Sequence, residues 1–377
     1  AWVQRLAPDD LAGVAFVQAS PDGAWIAAAG HARPPRPESV FAAVLVEPRT
    51  GRFLRLGPGT SSRLAFSDDG GRAAWMTDTW SDEPRLFGAD LRSGQTPVAT
   101  RVPLPLPPGS VFGLSFSPGG THIAVVQSQQ ATLFALGSSQ PAVVLPTPRG
   151  PVRRVGFSGD GRAHVLVGPD ERTKPGVLDV VVLDPASRRS TVTGHIATRG
   201  NPIELWGPGA DRVAIVHLSN FRPSLTLHDG TTGALLATPV DEGTAGRVSA
   251  TFLHDGRLAV VEAGARARLR VFTRDGVEVL SLAVAPQFAM AQAFEVGEGV
   301  VAVQLPVQGA GGVSRSVLVD VAAGRVVRVE EGLRPAAGGF LREVTVHPAS
   351  GLFIDDRGAV VHLDVATGAR TIVLGGR

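Results

Sequence analysis

The stretch Phe116-Ser117-Pro118-Gly119-Gly120-Thr121-His122-Ile123-Ala124-Val125-Val126 constrains this chain most, because it recurs. Related segments carry the turn at Ser20, Ser67, Ser117 and Ser158, and weaker copies carry it at Gly207, Leu253, Val296 and His347. The successive spacings are 47, 50, 41, 49, 46, 43 and 51 residues, so eight copies fill the chain. A period in this range is the mark of a repeat architecture, and overlooking it would mis-assign the whole fold. Glycine supplies the positive φ that such tight turns need. An apolar run on each side reads as two strands joined by that turn.

Each copy holds a second hairpin downstream, as in Val180-Val181-Val182-Leu183-Asp184-Pro185 or Leu225-Thr226-Leu227-His228-Asp229-Gly230. Four strands per unit, A to D, predict an all-β fold: a β-propeller of eight four-stranded blades, with seven as the alternative, and residues 1–377 as one domain. No 3.6-residue apolar period competes with this pattern. In strand A, Leu64, Leu114 and Val155 lie two before the aromatics Phe66, Phe116 and Phe157, on the same strand face. The position between is small (Ala65, Ser115, Gly156, Thr251, Thr345), as expected where inner strands crowd around an axis. The aromatics read as core, not as a cofactor box.

The Phe-Ser-Pro-x-Gly turn before an Ile-Ala strand, and the later Asp-x-x-x-Gly turn, resemble the WD-repeat-like units of TolB-type β-propeller proteins. The resemblance covers essentially the whole chain and implies a fold more than a function. No copy ends strand C in the Trp-Asp pair of true WD repeats. The propellers of prolyl-oligopeptidase-type peptidases are similar too, but this chain has no G-x-S-x-G elbow. The turns Asp229–Ala234 and Asp364–Ala369 resemble quinoprotein propellers without the Trp that follows there, so no cofactor is expected.

Composition bounds the function. The chain has no Cys, so disulfide and thiolate chemistry are excluded. That fits any compartment, with the cytoplasm read ahead of the periplasm. The isoelectric point of 10.1 suggests a nucleic-acid binder. However, Tyr and Cys are absent and Lys174 is the one lysine, so little titrates between His and Arg. The net charge is only +2 and the arginines look scattered, so nucleic acid is not the expected partner. No apolar run is long enough for a transmembrane helix, so membrane insertion is not expected either. Arginine usage in place of lysine suggests a bacterial source.

Strand alternation puts the A–B and C–D turns at one end of the disc and the B–C and D–A connections at the other. The second set holds the longer segments, including 31–39, 77–84, 168–176, 217–224 and 304–312 between B and C, and 101–110 and 195–202 between D and A. Loops on a rigid scaffold tend to carry recognition. Trp80, Phe221 and Arg222 are the expected partner anchors, with Arg33, Arg36, Arg172 and Lys174 as a basic rim. The leading expectation is a non-catalytic protein-interaction scaffold, or a subunit of a larger bacterial assembly. The alternative is a propeller hydrolase or lyase with a small site at the central channel, where Glu204, Glu295 and Glu343 are the acids in or near inner strands. The nine histidines form no metal-binding spacing, and no metal site is expected. The segment Trp2–Leu6 is expected to lie across the disc or to add an edge strand to the last blade, beyond Thr371–Gly376.

Overall fold

The recurring turn is a closed hydrogen-bonded unit in the computed structural model of the protein. The Ser67 Oγ donates to Asp69 Oδ1 at 2.7 Å and accepts the Arg72 backbone N–H at 2.9 Å. The Gly70 N–H closes the turn on the Ser67 carbonyl at 2.8 Å, with Gly70 at φ 68°. The same pattern joins Ser20 to Asp22 and Trp25, while Ser117 accepts the His122 N–H at 2.9 Å. These three serines are buried, so each hydroxyl satisfies a backbone group that water cannot reach. Blade 5 keeps only the backbone part, Ala210 N–H to Gly207 O, whereas blade 6 keeps Gly256 N–H to Leu253 O and, without a hydroxyl, the Arg257 N–H to Asp255 Oδ1 at 3.0 Å.

The structure describes residues 11–32, 42–56, 60–77, 85–92, 97–102, 111–127, 130–136, 141–146, 152–168, 176–199, 201–219, 222–241, 246–264, 266–285, 291–305, 313–335, 351–356 and 359–374. They form eight four-stranded antiparallel sheets, each built from consecutive strands, arranged as an eight-bladed β-propeller. Blade 1 comprises β1 (Leu11–Ala19), β2 (Ile26–Ala32), β3 (Ala42–Glu47) and β4 (Arg52–Arg55). Blade 2 comprises β5 (Thr60–Phe66), β6 (Arg72–Thr77), β7 (Arg85–Asp90) and β8 (Thr100–Val102). Blade 3 has β9 (Val111–Phe116), β10 (His122–Gln127), β11 (Gln130–Ala135) and β12 (Pro141–Pro146). Blade 4 has β13 (Val152–Phe157), β14 (Ala163–Val167), β15 (Gly176–Asp184) and β16 (Arg189–Thr198). Blade 5 has β17 (Asn201–Trp206), β18 (Arg212–Ser219), β19 (Arg222–Asp229) and β20 (Leu235–Val240). Blade 6 has β21 (Arg247–Phe252), β22 (Leu258–Ala263), β23 (Ala267–Phe272) and β24 (Glu278–Ala285). Blade 7 has β25 (Gln292–Gly297), β26 (Val300–Leu305), β27 (Arg315–Asp320) and β28 (Arg325–Glu331). Blade 8 has β29 (Leu333–Pro335), β30 (Leu352–Asp355), β31 (Val360–Leu363) and β32 (Arg370–Leu374).

The core is divided among the seams between blades. Strand B of each blade is buried on both faces, and alternate residues enter opposite seams. In blade 3, Ile123 and Val125 pack against Met76 and Leu86 of blade 2, whereas Ala124 and Val126 pack with Val165 of blade 4. In blades 2 to 6 the strand A aromatic just before the turn points back to the preceding blade, whereas Phe294 of blade 7, one position earlier, points forward into seam 7/8. Phe66 enters seam 1/2, Phe116 seam 2/3, Phe157 seam 3/4, Trp206 seam 4/5 and Phe252 seam 5/6. The small residue before it makes the room: a Cβ on Gly156 would lie 3.0 Å from the Trp206 ring of the next blade. Burying a side chain of this size is worth about 1.5–3 kcal/mol.

Closure follows the same rule. Val17, Ala19, Ile26 and Ala28 of blade 1 pack against Leu352, Ile354 and Val360 of blade 8. Thr371–Leu374 fall in β32, which pairs with β31 as that blade's own outer strand. Trp2–Leu6 lie outside the described residues.

Blade 8 differs from the sequence expectation. Its inner strand was expected around Thr345, but the strand paired with β30 is Leu333–Pro335, with Leu333 opposite Asp355. Leu333 is buried in seam 7/8 and supplies the apolar anchor an inner strand needs. Thr345, with Glu343 and His347, lies outside the described residues.

The turn unit gives a direct test. Ser117→Ala should leave the part-buried His122 N–H without its acceptor and lower the unfolding free energy by about 1 kcal/mol. Urea unfolding of the two proteins measures this; an unchanged midpoint would show that the hydroxyl does not hold the turn.

Candidate functional site

The A–B end of the disc is stapled across blades. Arg72 Nη1 of blade 2 donates to Gly120 O of blade 3 at 2.8 Å. Arg212 of blade 5 donates through Nε to Arg274 O of blade 6 at 3.0 Å. His164 Nδ1 of blade 4 lies 3.2 Å from Gly230 O of blade 5, and Thr193 Oγ1 donates to Thr231 O at 2.5 Å. These contacts pin the short turns of neighbouring blades to one another.

The opposite end carries the B–C and D–A connections. Arg33, Arg36, Trp80, Arg172, Lys174 and Phe221 all belong to B–C connections and lie outside the described residues. Arg222 is the first residue of β19, opposite Ser219 in the ladder; its side chain lies outside the described ones. Two connections are shorter than the sequence suggests. Strands β18 and β19 pair out to Ser219 and Arg222, so the expected 217–224 loop is a tight hairpin tip. β16 runs to Thr198 and β17 starts at Asn201, so most of the expected 195–202 loop is strand. Polar residues caused both differences. His217 reads as a loop residue in sequence, but it is buried in β18 and its Nε2 lies 2.9 Å from Thr226 Oγ1.

His217 starts a directed chain of hydrogen bonds through blade 5. The Arg199 N–H donates to His217 Nδ1 at 3.1 Å, which makes that nitrogen an acceptor. Thr226 Oγ1 then bridges His217 Nε2 and His228 Nε2, each at 2.9 Å, and His228 Nδ1 reaches Gly233 O at 3.0 Å. Neutral imidazoles satisfy every link. Burial holds His228 below its ordinary value, in keeping with that state. Burial does the same to His164 and His122.

The inner-strand acids do not converge. Glu204 occupies the position of Leu64 and Leu114, on the same face as Trp206, and so faces seam 4/5. Glu295 occupies the aromatic position of blade 7 and points back into seam 6/7. There its Oε2 accepts the His254 backbone N–H at 2.7 Å and its Oε1 lies 2.8 Å from His254 Nδ1. A carboxylate–imidazole pair thus takes the space an aromatic fills in five other seams. Burial raises the Glu295 pKa above the ordinary carboxylate value, against the lowering effect of the two His254 bonds. The Glu295 hydrogen bond in turn raises His254.

A second imidazole–carboxylate pair lies at the outer edge of blade 4. His195 Nδ1 is 2.8 Å from Asp179 Oδ1, across the ladder between β15 and β16. With Val167, Gly168 and Val177 they line an open depression of about 610 Å³. The pair orients an imidazole on an exposed rim. No cluster of three or more His, Asp or Glu side chains that could hold a metal occurs among the described residues. No helix among them is long and apolar enough to cross a membrane.

No protein-family model matches the chain, and no curated protein matches it. Solved structures do. A eukaryotic initiation factor aligns with a TM-score of 0.59 at 12% identity, covering 95% of this chain and 87% of that one. The dihydro-heme d1 dehydrogenase NirN, in complex with DHE, aligns at 0.55 and 15% identity over 85% of this chain and 66% of that one. TolB from Acinetobacter baumannii is also similar, at 17% identity and a TM-score of 0.39 over 59% of this chain and 53% of that one. This chain therefore spans just under two thirds of the dehydrogenase and about half of TolB. At these identities the likeness is one of fold, shared by an initiation factor and a dehydrogenase alike.

The His254–Glu295 pair makes stability depend on pH. His254 is raised on folding, so its contribution is complete below about pH 6.5 and is lost as pH rises through the folded value. Glu295, also raised, works in the same direction from about pH 4.5 upward. His122, His164 and His228 are lowered and act the opposite way, so the difference between variants isolates the pair. The stability gap between the wild type and His254→Gln should narrow as pH rises from about 6 to 9. Urea unfolding across that range measures it, and a gap that stays constant or widens would remove the pair's charge from the account.

Proposed function

We propose that the protein is a non-catalytic β-propeller that serves as a protein-interaction scaffold, or as a subunit of a larger bacterial assembly. The reading takes residues 1–377 as one propeller domain. The observation that carries it is how the two ends of the disc are built. At one end the A–B turns of blades 1 to 6 are short and several are tied to the next blade; the exceptions at that end are the 336–351 connection between β29 and β30 and the 91–99 connection between β7 and β8. The other end receives the connections that contain 33–41, 78–84, 169–175 and 306–312. A rigid ring with several long connections at one end can present recognition segments there.

Within that end, Trp80, Phe221 and Arg222 are the anchors, and Arg33, Arg36, Arg172 and Lys174 are a cationic rim. Aromatic and Arg side chains of this kind dominate interface energetics, whereas rim charges chiefly set orientation and association rate. The partner is another protein, held on the B–C/D–A end. The arginine-rich, lysine-poor composition supports a bacterial source.

A photo-crosslinking amino acid placed in turn at 80, 172, 188 and 275 tests the face in the native host. Positions 188 and 275 lie in C–D turns of the opposite end, where Arg188 and Asp275 are exposed. Positions 80 and 172 should give a discrete adduct with one protein, and 188 and 275 should not. With that protein purified, Trp80→Ala combined with Arg222→Ala should weaken binding at least tenfold (about 1.4 kcal/mol). Adducts chiefly from 188 and 275, or unchanged binding by the double variant, would overturn the assignment.

A further inference from the structure

Blade 4 breaks a pattern that its neighbours keep. In blades 3 to 6, strand B begins its core face toward the preceding blade with Ile123, Ala163, Val213 and Leu258. Four positions on, toward the B–C/D–A end, blades 3, 5 and 6 carry Gln127, His217 and Glu262. These polar groups are engaged within the fold. Gln130 Nε2 donates to Gln127 Oε1, both ring nitrogens of His217 are bonded, and Arg270 donates to Glu262 and Glu278. In blade 4 the residue at this height is Val167. The polar pair is displaced outward along the same row, onto Asp179 of β15 and His195 of β16.

This pair has a base and a tip. The Asp179 side chain is 14% exposed, whereas that of His195 is 62% exposed. Asp179 Oδ1 lies 2.8 Å from His195 Nδ1. A neutral imidazole that donates from Nδ1 to the carboxylate presents Nε2 as an acceptor. Among the described residues, Nε2 has no partner. The strand that carries it is held by blade 5, where Thr231 O accepts the Thr193 hydroxyl. Ring and backbone are thus both positioned in advance.

The depression beside the pair measures about 610 Å³ and is walled by Val167, Gly168 and Val177, of which Val177 is 51% exposed. That volume is in the range of ligand pockets, about 300–1,000 Å³. The depression lies at the B–C/D–A end, because Gly168 begins the B–C connection and Val177 is the second residue of β15. That connection carries Asp170, Glu171, Arg172 and Lys174, so it adds no net charge. An occupant needs an apolar body for the valines and a donor at its tip for Nε2. An ammonium group would surrender its hydration for one neutral acceptor, since the carboxylate stands behind the imidazole. Serine and threonine are too short to cover the valines. Tyrosine joins a large apolar ring to a terminal hydroxyl that finds a partner when buried. The chain has no Tyr, so neither another part of it nor a second copy supplies the group.

Resting on the reading that this end holds another protein, we infer that the depression beside His195 seats a tyrosine of that partner, its ring against Val177 and its hydroxyl donating to His195 Nε2.

The test follows the imidazole Cε1–H signals of the full chain by NMR, in buffer above the ordinary imidazole range. The probes are N-acetyl-tyrosinamide and, separately, N-acetyl-phenylalaninamide, which differ by one hydroxyl. The signal missing from His195→Gln identifies His195. It should move along a saturable curve with the tyrosine probe, while that of His362, exposed in blade 8, stays in place. The phenylalanine probe, short of one hydrogen bond, should bind about fivefold more weakly. Val177→Asp, at an exposed position, should weaken the tyrosine probe by a similar factor. No saturable movement of the His195 signal, equal affinity for the two probes, or an unaffected Val177→Asp would overturn the inference. The probes report on the depression alone. Adducts at positions 80 and 172 without a response from His195 would count against the pocket and not the face. A hydroxyl-dependent response without such adducts would support the pocket and count against the face.

Discussion

The structure depends on one constraint: no blade can bury its own apolar residues. A four-stranded sheet exposes two faces, and strand B of every blade is apolar on both. Val125 and Val126 of blade 3 are adjacent in the chain, yet they lie in different seams and both are fully buried. Each sheet therefore needs a neighbour on either side, and the ring is the arrangement that supplies two to all eight. The seam between blades 8 and 1 is built in the same way as the others, by side-chain packing of Ala28 and Ile26 against Ile354 and Leu352. Cooperativity follows, since loosening one seam exposes apolar surface on two blades at once.

The turns serve this constraint. A strand A aromatic reaches the preceding blade only if strand A ends at a fixed height relative to strand B. The Ser-x-Asp-Gly unit sets that height by bonding the Ser hydroxyl to the backbone five residues on, as in Ser67 and Arg72. Contacts to the next blade accompany the unit whether or not the hydroxyl is present: Arg72, beside Ser67, donates to the Gly120 carbonyl of blade 3, and Arg212, beside Gly207, donates to the Arg274 carbonyl of blade 6. Seam 6/7 is the exception in its chemistry: Glu295 and His254 fill a position that is apolar in five other seams, and the seam gains a titratable contact.

Much of the fold was legible because its signals are local. The turn at Ser117, the alternation in Leu64-Ala65-Phe66 and the two hairpins per unit are each readable within about a dozen residues. The core role of the aromatics followed from the strand period alone. What could not be read involves partners from different repeats. His254 and Glu295 are 41 residues apart and meet because Glu295 takes an aromatic's place. His217 and Thr198 resembled loop residues because both are polar; the ladders that bury them extend beyond the apolar pattern. In blade 8 the inner strand comes from Leu333–Pro335, upstream of the segment that most resembles the repeat, since pairing follows the position of β30 and not the strength of a motif.

The candidate sites divide in the same way. The sequence by itself determined the repeat and the strand count per blade, because these follow from period, turn chemistry and strand alternation; it did not foresee the 336–351 connection between β29 and β30, which lies at the end expected to carry only short turns. Only the tertiary structure decided which acids turn into seams and which strands border the axis. Inner strands return once per repeat, some forty to fifty residues apart in the chain, and closing the ring brings them together because each blade needs a neighbour on both faces.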